Sequence, residues 1–231
     1  MAPPSESDRR PSPSPRLAPP VRPTLAQRLF AWFMARGMAA YERHLAVYKR
    51  ALFAGLRADD TVLEIGPGGG ANLVYFPAGM RWIGIEPNPA MRPYLADRLR
   101  SAGLRAEVRT GSAEALPAEA ASCDAVVSTL VLCSVRDVGM ALGEIRRVLR
   151  PGGRLLFLEH VAAPQTQPLY RWQRRLRPLW AKLADGCQLD RDTARALTQA
   201  GFNLGELQRF DGPVWLVRPH LCGEARKTGG P

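Results

Sequence analysis

The sequence lacks any uninterrupted run of about 18 apolar residues, the least that spans a bilayer as a helix, and its first residues carry no apolar signal core. Neither a membrane span nor secretion is expected. Cysteine is scarce: Cys123, Cys133, Cys187 and Cys222 stand far apart, form no Cys-x-x-Cys pair and have no histidine at zinc-ligand spacing. By spacing, no metal site and no disulfide framework are indicated, and a reducing cytoplasm fits best. Acidic residues are outnumbered by basic ones, 21 to 32, leaving a formal charge of +11 carried largely by arginine. That balance argues for acidic surroundings such as phosphate, anionic lipid or an anionic substrate, without choosing among them. No internal repeat is visible.

What is present divides the chain into three parts. Residues 1–23 are dominated by proline, serine and arginine, a composition that cannot bury enough apolar surface to offset the entropy of ordering, and are expected to form a disordered tail. Over 24–56 the apolar residues Leu29, Phe30, Phe33, Met34, Met38, Tyr41, Leu45, Tyr48 and Leu52 recur at three- and four-residue steps, predicting one or two amphipathic helices. Their stripe packs either on the domain's own core or, because Arg28, Arg36, Arg43, Lys49 and Arg50 accompany it, on an anionic membrane surface. From 57 to 227 short apolar runs alternate with helical patterns, the signature of an α/β domain with a parallel sheet. The runs are 61–65, 82–86, 106–109, 125–128 and 154–160, with helical segments near 70–76, 89–102 and 137–149. A helix at 191–200 and strand-like runs at 203–210 and 213–218 follow, so a terminal antiparallel pair completes a seven-stranded, mostly parallel, Rossmann-like sheet. A basic segment at 164–185 interleaves arginine and tryptophan (Arg171-Trp172-Gln173-Arg174-Arg175) and reads as a lid over a pocket, a lipid contact or a solvated helix face.

The most informative stretch is Val62-Leu63-Glu64-Ile65-Gly66-Pro67-Gly68-Gly69-Gly70-Ala71-Asn72, a hydrophobic strand entering a glycine-rich turn. Gly66-x-Gly68-x-x-Ala71 also satisfies the dinucleotide fingerprint of NAD-binding domains. Two features favour another ligand. Glu64, two residues before the first glycine, can orient the loop and attract a cation that NAD lacks, and the further glycine at 70 makes the loop Glu-x-Gly-x-Gly-x-Gly. That pattern resembles class I methyltransferases, which implies S-adenosylmethionine as methyl donor, with Glu64, Gly66, Gly68, Gly70 and Asn72 in its binding set. Glu86, ending the next strand, can accept hydrogen bonds from both ribose hydroxyls of an adenosine. The resemblance further implies that Gly111-Ser112-Ala113-Glu114 meets the adenine, through Ala113 and Glu114, and that the strand exit from Thr129 and Leu130 to Cys133 lies beneath the transferable methyl.

Four segments are more particular: Thr129-Leu130-Val131-Leu132-Cys133-Ser134-Val135, Glu159-His160-Val161-Ala162, Asp185-Gly186-Cys187 and Val217-Arg218-Pro219-His220. Together they resemble the thiol S-methyltransferases called methyltransferase-like seven, over about residues 40–227. The resemblance implies methyl transfer from S-adenosylmethionine to alkyl thiols or hydrogen sulfide on a membrane-associated protein. The chain departs from that family at its start, where the proline-rich tail and a mixed helix replace a long hydrophobic anchor, and at Pro67 and Gly69, which replace a cysteine and a threonine.

Methyl transfer from a sulfonium is an in-line displacement that depends on positioning, with the nucleophile held at about 3–3.5 Å. His160, at the end of the fifth strand, is the candidate base or orienter, with Asp185 as its partner; the bland alternative is a histidine that holds the loop. Cys133 and Cys187 read as packing residues, since free cysteine is commonly buried. The partner expected is a small-molecule acceptor. Quinones, phenols and lipid-like acceptors of O- or C-methylation remain open, as does a cofactor-binding module without catalysis. RNA is disfavoured because no Asn/Asp-Pro-Pro-Tyr loop is present. Residence is expected in the cytoplasm, with peripheral contact to anionic membrane as the remaining option.

Overall fold

The computed structural model describes residues 16–17, by their backbone, and 22–227. The predicted disorder of 1–15 and 18–21 lies outside the described residues. In chain order the elements are β1 (Arg16–Leu17), α1 (Leu25–Gly37), α2 (Ala39–Phe53), β2 (Thr61–Ile65), β3 (Arg81–Ile85), α3 (Arg92–Leu99), β4 (Arg105–Arg109), β5 (Cys123–Thr129), α4 (Val138–Val148), β6 (Leu149–His160), α5 (Pro168–Leu183), α6 (Thr193–Gln199), β7 (Phe202–Asp211) and β8 (Pro219–Lys227).

One sheet runs β1-β4-β3-β2-β5-β6-β8-β7, parallel except that β8 is antiparallel to both β6 and β7. The seven expected strands are joined by two-residue β1 at the edge, paired with Glu107 and Val108 of β4. All five residues of β2 are buried, as a central strand covered on both faces requires. Alternate residues feed two apolar layers: Leu63, Ile65, Ile83, Ile85, Val126 and Phe157 on one face, Val62, Trp82, Ala125, Val127 and Leu156 on the other. Strand order reverses between β2 and its neighbours β3 and β5, and a ligand crevice in such a sheet opens there, at the carboxyl ends.

Two expectations need correction. The helix expected at 70–76 is one 3-10 turn, Leu73–Tyr75, because Pro77 forces the preceding Phe76 into extended backbone (φ −90°, ψ 139°). The last strand is Pro219–Lys227 and not 213–218: Pro213 has no N–H for a ladder, and Trp215–Val217 forms a 3-10 turn closed by Gly212 N donating to Arg218 O at 2.6 Å. The true last strand is masked in the sequence by Glu224, Arg226 and Lys227, yet it buries Leu221, Cys222 and Ala225.

The two N-terminal helices differ in how far their apolar residues pack on the domain. Helix α2 docks on the core, burying Tyr41, Leu45, Lys49 and Phe53, and Tyr48 stacks on Phe210 with ring centroids 3.6 Å apart. Helix α1 starts with a Thr24/Gln27 capping box and buries only Ala31, leaving Leu25, Leu29, Trp32 and Phe33 exposed. It lies against the 89–91 turn, where Asn88 Nδ2 donates to Gln27 O at 3.3 Å. Most of the 164–185 segment becomes α5, whose one buried residue, Gln173, donates to Leu216 O and accepts from Ala163 N. Among the described residues no helix is long and apolar enough to cross a membrane.

Candidate active site

The glycine loop leaves β2 with Gly66, Gly68 and Gly70 all at positive φ (56°, 55° and 79°), a run of backbone that only glycine adopts without strain. Its fixing begins at Glu64, whose carboxylate is fully buried and accepts from Asn72 Nδ2 at 2.7 Å and Trp82 Nε1 at 2.9 Å. Asn72 also donates to Thr129 Oγ1 at 3.0 Å, so one amide ties the far end of the loop to the ends of both β2 and β5. Burial outweighs these donors and pushes Glu64 up to about 7. Both Glu64 oxygens are thus engaged inside the protein, and its reach toward a ligand runs through Asn72. The Asn72 Oδ1 is buried and has no protein partner. An orphaned acceptor of this kind suits an incoming N–H or ammonium donor.

Glu86 follows β3. Its two oxygens accept from Gly68 N and from Asn88 N, each at 2.8 Å, which binds the acid directly to the glycine loop. Burial pushes it up to about 7, opposed by those two N–H groups, and the charge of Asp185 adds to the rise. At Gly68 a Cβ would meet no atom within 4 Å, so the loop faces open space beside Glu86. Ala113 is buried in the apolar layer that also holds Ile85 and Leu116. Glu114 is turned away from a purely ligand-binding role: its Oε1 accepts from Arg136 N at 2.8 Å and holds the start of α4. Partial burial opposes its ionisation, but those backbone donors and Ser112 keep its carboxyl below the usual range.

The exit of β5 is held by a residue whose role the sequence reading did not extract. Glu159, inside the apolar run of β6, is completely buried and accepts from Ser128 Oγ at 2.6 Å, Leu132 N at 3.1 Å, Val131 N at 3.2 Å and Cys133 N at 3.4 Å. Desolvation raises its pKa against those donors. The turn so gripped includes Leu130 at φ 59°, a strained conformation for a branched side chain. An acid among Leu155, Leu156, Phe157 and Leu158 was the available signal: a buried carboxylate in a central strand needs donors, and the neighbouring strand exit supplies them.

His160, next along β6, is 4 % exposed. Its Nε2 lies 2.7 Å from Cys187 Sγ, and Trp180 Nε1 donates to the same sulfur at 3.2 Å. Its partner is therefore Cys187; among the described residues Asp185 makes no hydrogen bond to it, and lies exposed with φ 48°. Asp185 instead influences Glu86 through its charge. Cys133 faces Cys187: a hydrogen bond from Cys133 first, then donors from His160 and Trp180, pull Cys187 down to about 5, while Cys133 keeps its proton well above the ordinary thiol range. The two cysteines thus do more than pack. The backbone interlocks as well, Gln188 N donating to Cys133 O at 2.8 Å.

The remaining histidines anchor α2. Tyr41 Oη and His220 Nε2 are 2.6 Å apart, His220 Nδ1 is 2.9 Å from Arg218 O, and burial lowers His220 to about 4. His44 Nε2 meets Asp211 O at 2.8 Å. Surface clefts lined by Asp60, Asp124, Arg150 and Arg226 lie at the opposite, amino end of the strands, away from all these groups.

Residues 63–157 match the family described as Methyltransferase domain. Over 215 residues the chain is 39 % identical to the human thiol S-methyltransferase TMT1A, covering 88 % of each chain. It is 37 % identical to human thiol S-methyltransferase TMT1B with the same coverage. In three dimensions it is similar to a geranyl diphosphate methyltransferase solved with GPP and sinefungin, at a TM-score of 0.65 and 16 % identity over 80 % of this chain and 78 % of that one, a likeness of fold.

Proposed function

We propose that this chain, which belongs to the thiol S-methyltransferase family, methylates small-molecule thiols, alkyl thiols or hydrogen sulfide, at the carboxyl ends of β5 and β6. The enzyme is an S-adenosylmethionine-dependent methyltransferase, and the donor supplies an electrophilic methyl on a sulfonium. The glycine loop fits that donor: Gly68 opens onto free space, Glu86 stands beside it as acceptor for the ribose hydroxyls, and Asn72 Oδ1 offers an unfilled acceptor to the amino-acid end. Glu64, Gly66 and Gly70 shape the loop, Ala113 and Glu114 flank the adenine, and Thr129 and Leu130 present the methyl to the acceptor side.

What carries the thiol reading is the 39 % identity over 88 % of the chain to a thiol S-methyltransferase; beside it, Trp180 Nε1 donates to Cys187 Sγ and His160 Nε2 lies 2.7 Å from that sulfur. Thiolate is the reactive form of an acceptor thiol, and polar groups gathered at this end of the site would steady its charge. His160 orients this end of the site. Asp185 contributes as a charge at the donor's mouth rather than as a partner of His160. The test is cofactor-dependent product analysis with hydrogen sulfide, an alkyl thiol, a phenol and a quinol. Methylation of the phenol or quinol alone would remove the thiol assignment.

Peripheral attachment to anionic membrane is supported by α1, where exposed Leu25, Leu29, Trp32 and Phe33 accompany Arg28 and Arg36. Co-sedimentation with phosphatidylserine vesicles should fall with salt and fall again for Leu29→Glu/Phe33→Glu. Binding to neutral vesicles alone, insensitive to salt, would contradict it.

A further inference from the structure

Cys133, His160 and Cys187 come from three separate places, the turn after β5, the end of β6 and the loop after α5. Their ligand atoms all lie within 4.8 Å of one another, and all three side chains are buried. Each is held from behind. Cys133 N donates to Glu159 and Cys133 O accepts from Gln188 N; Cys187 N donates to Ala184 O; His160 sits in the β6 ladder opposite His220. A zinc ion with Zn–S near 2.3 Å and Zn–N near 2.0–2.1 Å holds its ligand atoms about 3.5–3.8 Å apart on a tetrahedron; the three ligand atoms lie within 4.8 Å, and His160 Nε2 and Cys187 Sγ, now 2.7 Å apart, would separate by about 0.8 Å to admit it.

We propose that Cys133, His160 and Cys187 bind one zinc ion whose fourth position receives the acceptor thiol. Two thiolates and an imidazole are a zinc-selective donor set, and three protein ligands with one position open is the pattern of catalytic rather than structural zinc. Among the described residues no fourth histidine, cysteine or carboxylate joins the group. Coordination deprotonates a thiol outright at neutral pH, which removes the need for a general base. The acceptor's S–H proton passes to solvent and the coordinated thiolate keeps the electron pair. That pair forms the new S–CH3 bond as the methyl–sulfonium bond breaks, its electrons remaining on the donor sulfur; with an alkyl thiol as acceptor the product is a neutral thioether, a poorer ligand, which then leaves zinc. Trp180 Nε1, already donating to Cys187 Sγ, is the outer-shell donor to one ligand.

This proposal rests on the thiol reading above, and the test separates the two. The full-length protein is equilibrated with zinc, desalted and assayed for bound metal; a cobalt(II) form is then titrated with ethanethiol while its visible and sulfur-to-metal charge-transfer bands are followed. The expected result is on the order of one zinc per chain, a tetrahedral cobalt spectrum that shifts on adding ethanethiol, and loss of the metal in Cys187→Ser and in Cys133→Ser. Each variant is checked by its melting curve, and two independent substitutions guard against one that fails to fold. Chelator-treated protein should bind adenosylhomocysteine normally and lose ethanethiol methylation by about 10-fold or more. Folded parent protein that takes up no zinc, a Cys133–Cys187 disulfide in its place, a cobalt spectrum blind to ethanethiol, or full methylation of ethanethiol by metal-free protein would each overturn the zinc site. The last of these leaves thiol methylation itself intact. Conversely, a thiol-responsive cobalt site in a protein that methylates no thiol upholds the metal and removes the proposed activity.

Discussion

Replacing Glu159 by alanine strands four buried donors at once: Ser128 Oγ and the N–H groups of Val131, Leu132 and Cys133. A buried donor left without its partner costs about 1–3 kcal/mol. The losses do not add in full, since the vacated space relaxes and a desolvated acid disappears, so a figure of roughly 3–5 kcal/mol is expected. For a domain of this size that lowers the melting temperature by about 6–20 °C, at some 2–4 °C per kcal/mol. Glutamine gives the sharper comparison. Three of the four donors meet Oε1 and only Cys133 N, at 3.4 Å, meets Oε2. An amide with its oxygen in the Oε1 place keeps the three and turns one N–H against Cys133, a loss of about 1–2 kcal/mol and roughly 3–6 °C. Calorimetric melting with and without adenosylhomocysteine measures both variants. Because Thr129 and Leu130 sit on the turn that Glu159 grips, the stabilisation by adenosylhomocysteine should shrink in both. Glu159→Ala melting within about 2 °C of the parent would refute the view that this carboxylate holds the β5 exit.

The acids of the donor site predict a pH dependence. Glu64 and Glu86 are raised by burial from 4.5 to about 7, so between those values the folded chain holds protons that the unfolded chain releases, and stability falls as pH rises through that window. Binding runs the other way: the anionic form of Glu86, proposed to accept the ribose hydroxyls, becomes populated above about 7, and titration calorimetry should find adenosylhomocysteine bound more tightly at pH 8 than at pH 6. An unchanged affinity across that range would count against the ribose role. Two glycines should separate binding from stability. At Gly68→Ala the φ of 55° costs about 1–2 kcal/mol and the new methyl enters open space, so the melting temperature drops modestly while adenosylhomocysteine binding is lost. At Gly70→Ala the Cβ would lie 2.7 Å from Leu73 Cδ1 and 3.0 Å from Leu95 Cδ1, so stability itself falls by about 2–4 kcal/mol. Equal effects from the two would show that the open face at Gly68 is not the ligand's side.

The sheet was legible from the sequence because central parallel strands are buried on both faces and read as apolar runs, and because Gly66, Gly68 and Gly70 announce a turn that no other residue type makes. The loop's registration with Glu86 was equally local: a strand, a turn and the next strand's last residue, now joined by Gly68 N to Glu86. Strand β8 escaped notice because its charged residues hide an alternation that matters only once β6 and β7 flank it. The acceptor end was beyond reach for a different reason. Cys133, His160 and Cys187 are separated by 26 residues or more and match no ligand spacing, and Glu159 looks like any acid until its four donors are brought across from β5. Sequence alone determined the strand-and-turn frame and the donor loop, whose contacts are close along the chain. Tertiary structure alone decided which sulfur meets which imidazole and what holds the β5 exit, because those neighbours are made by adjacent strands and a returning helix rather than by spacing.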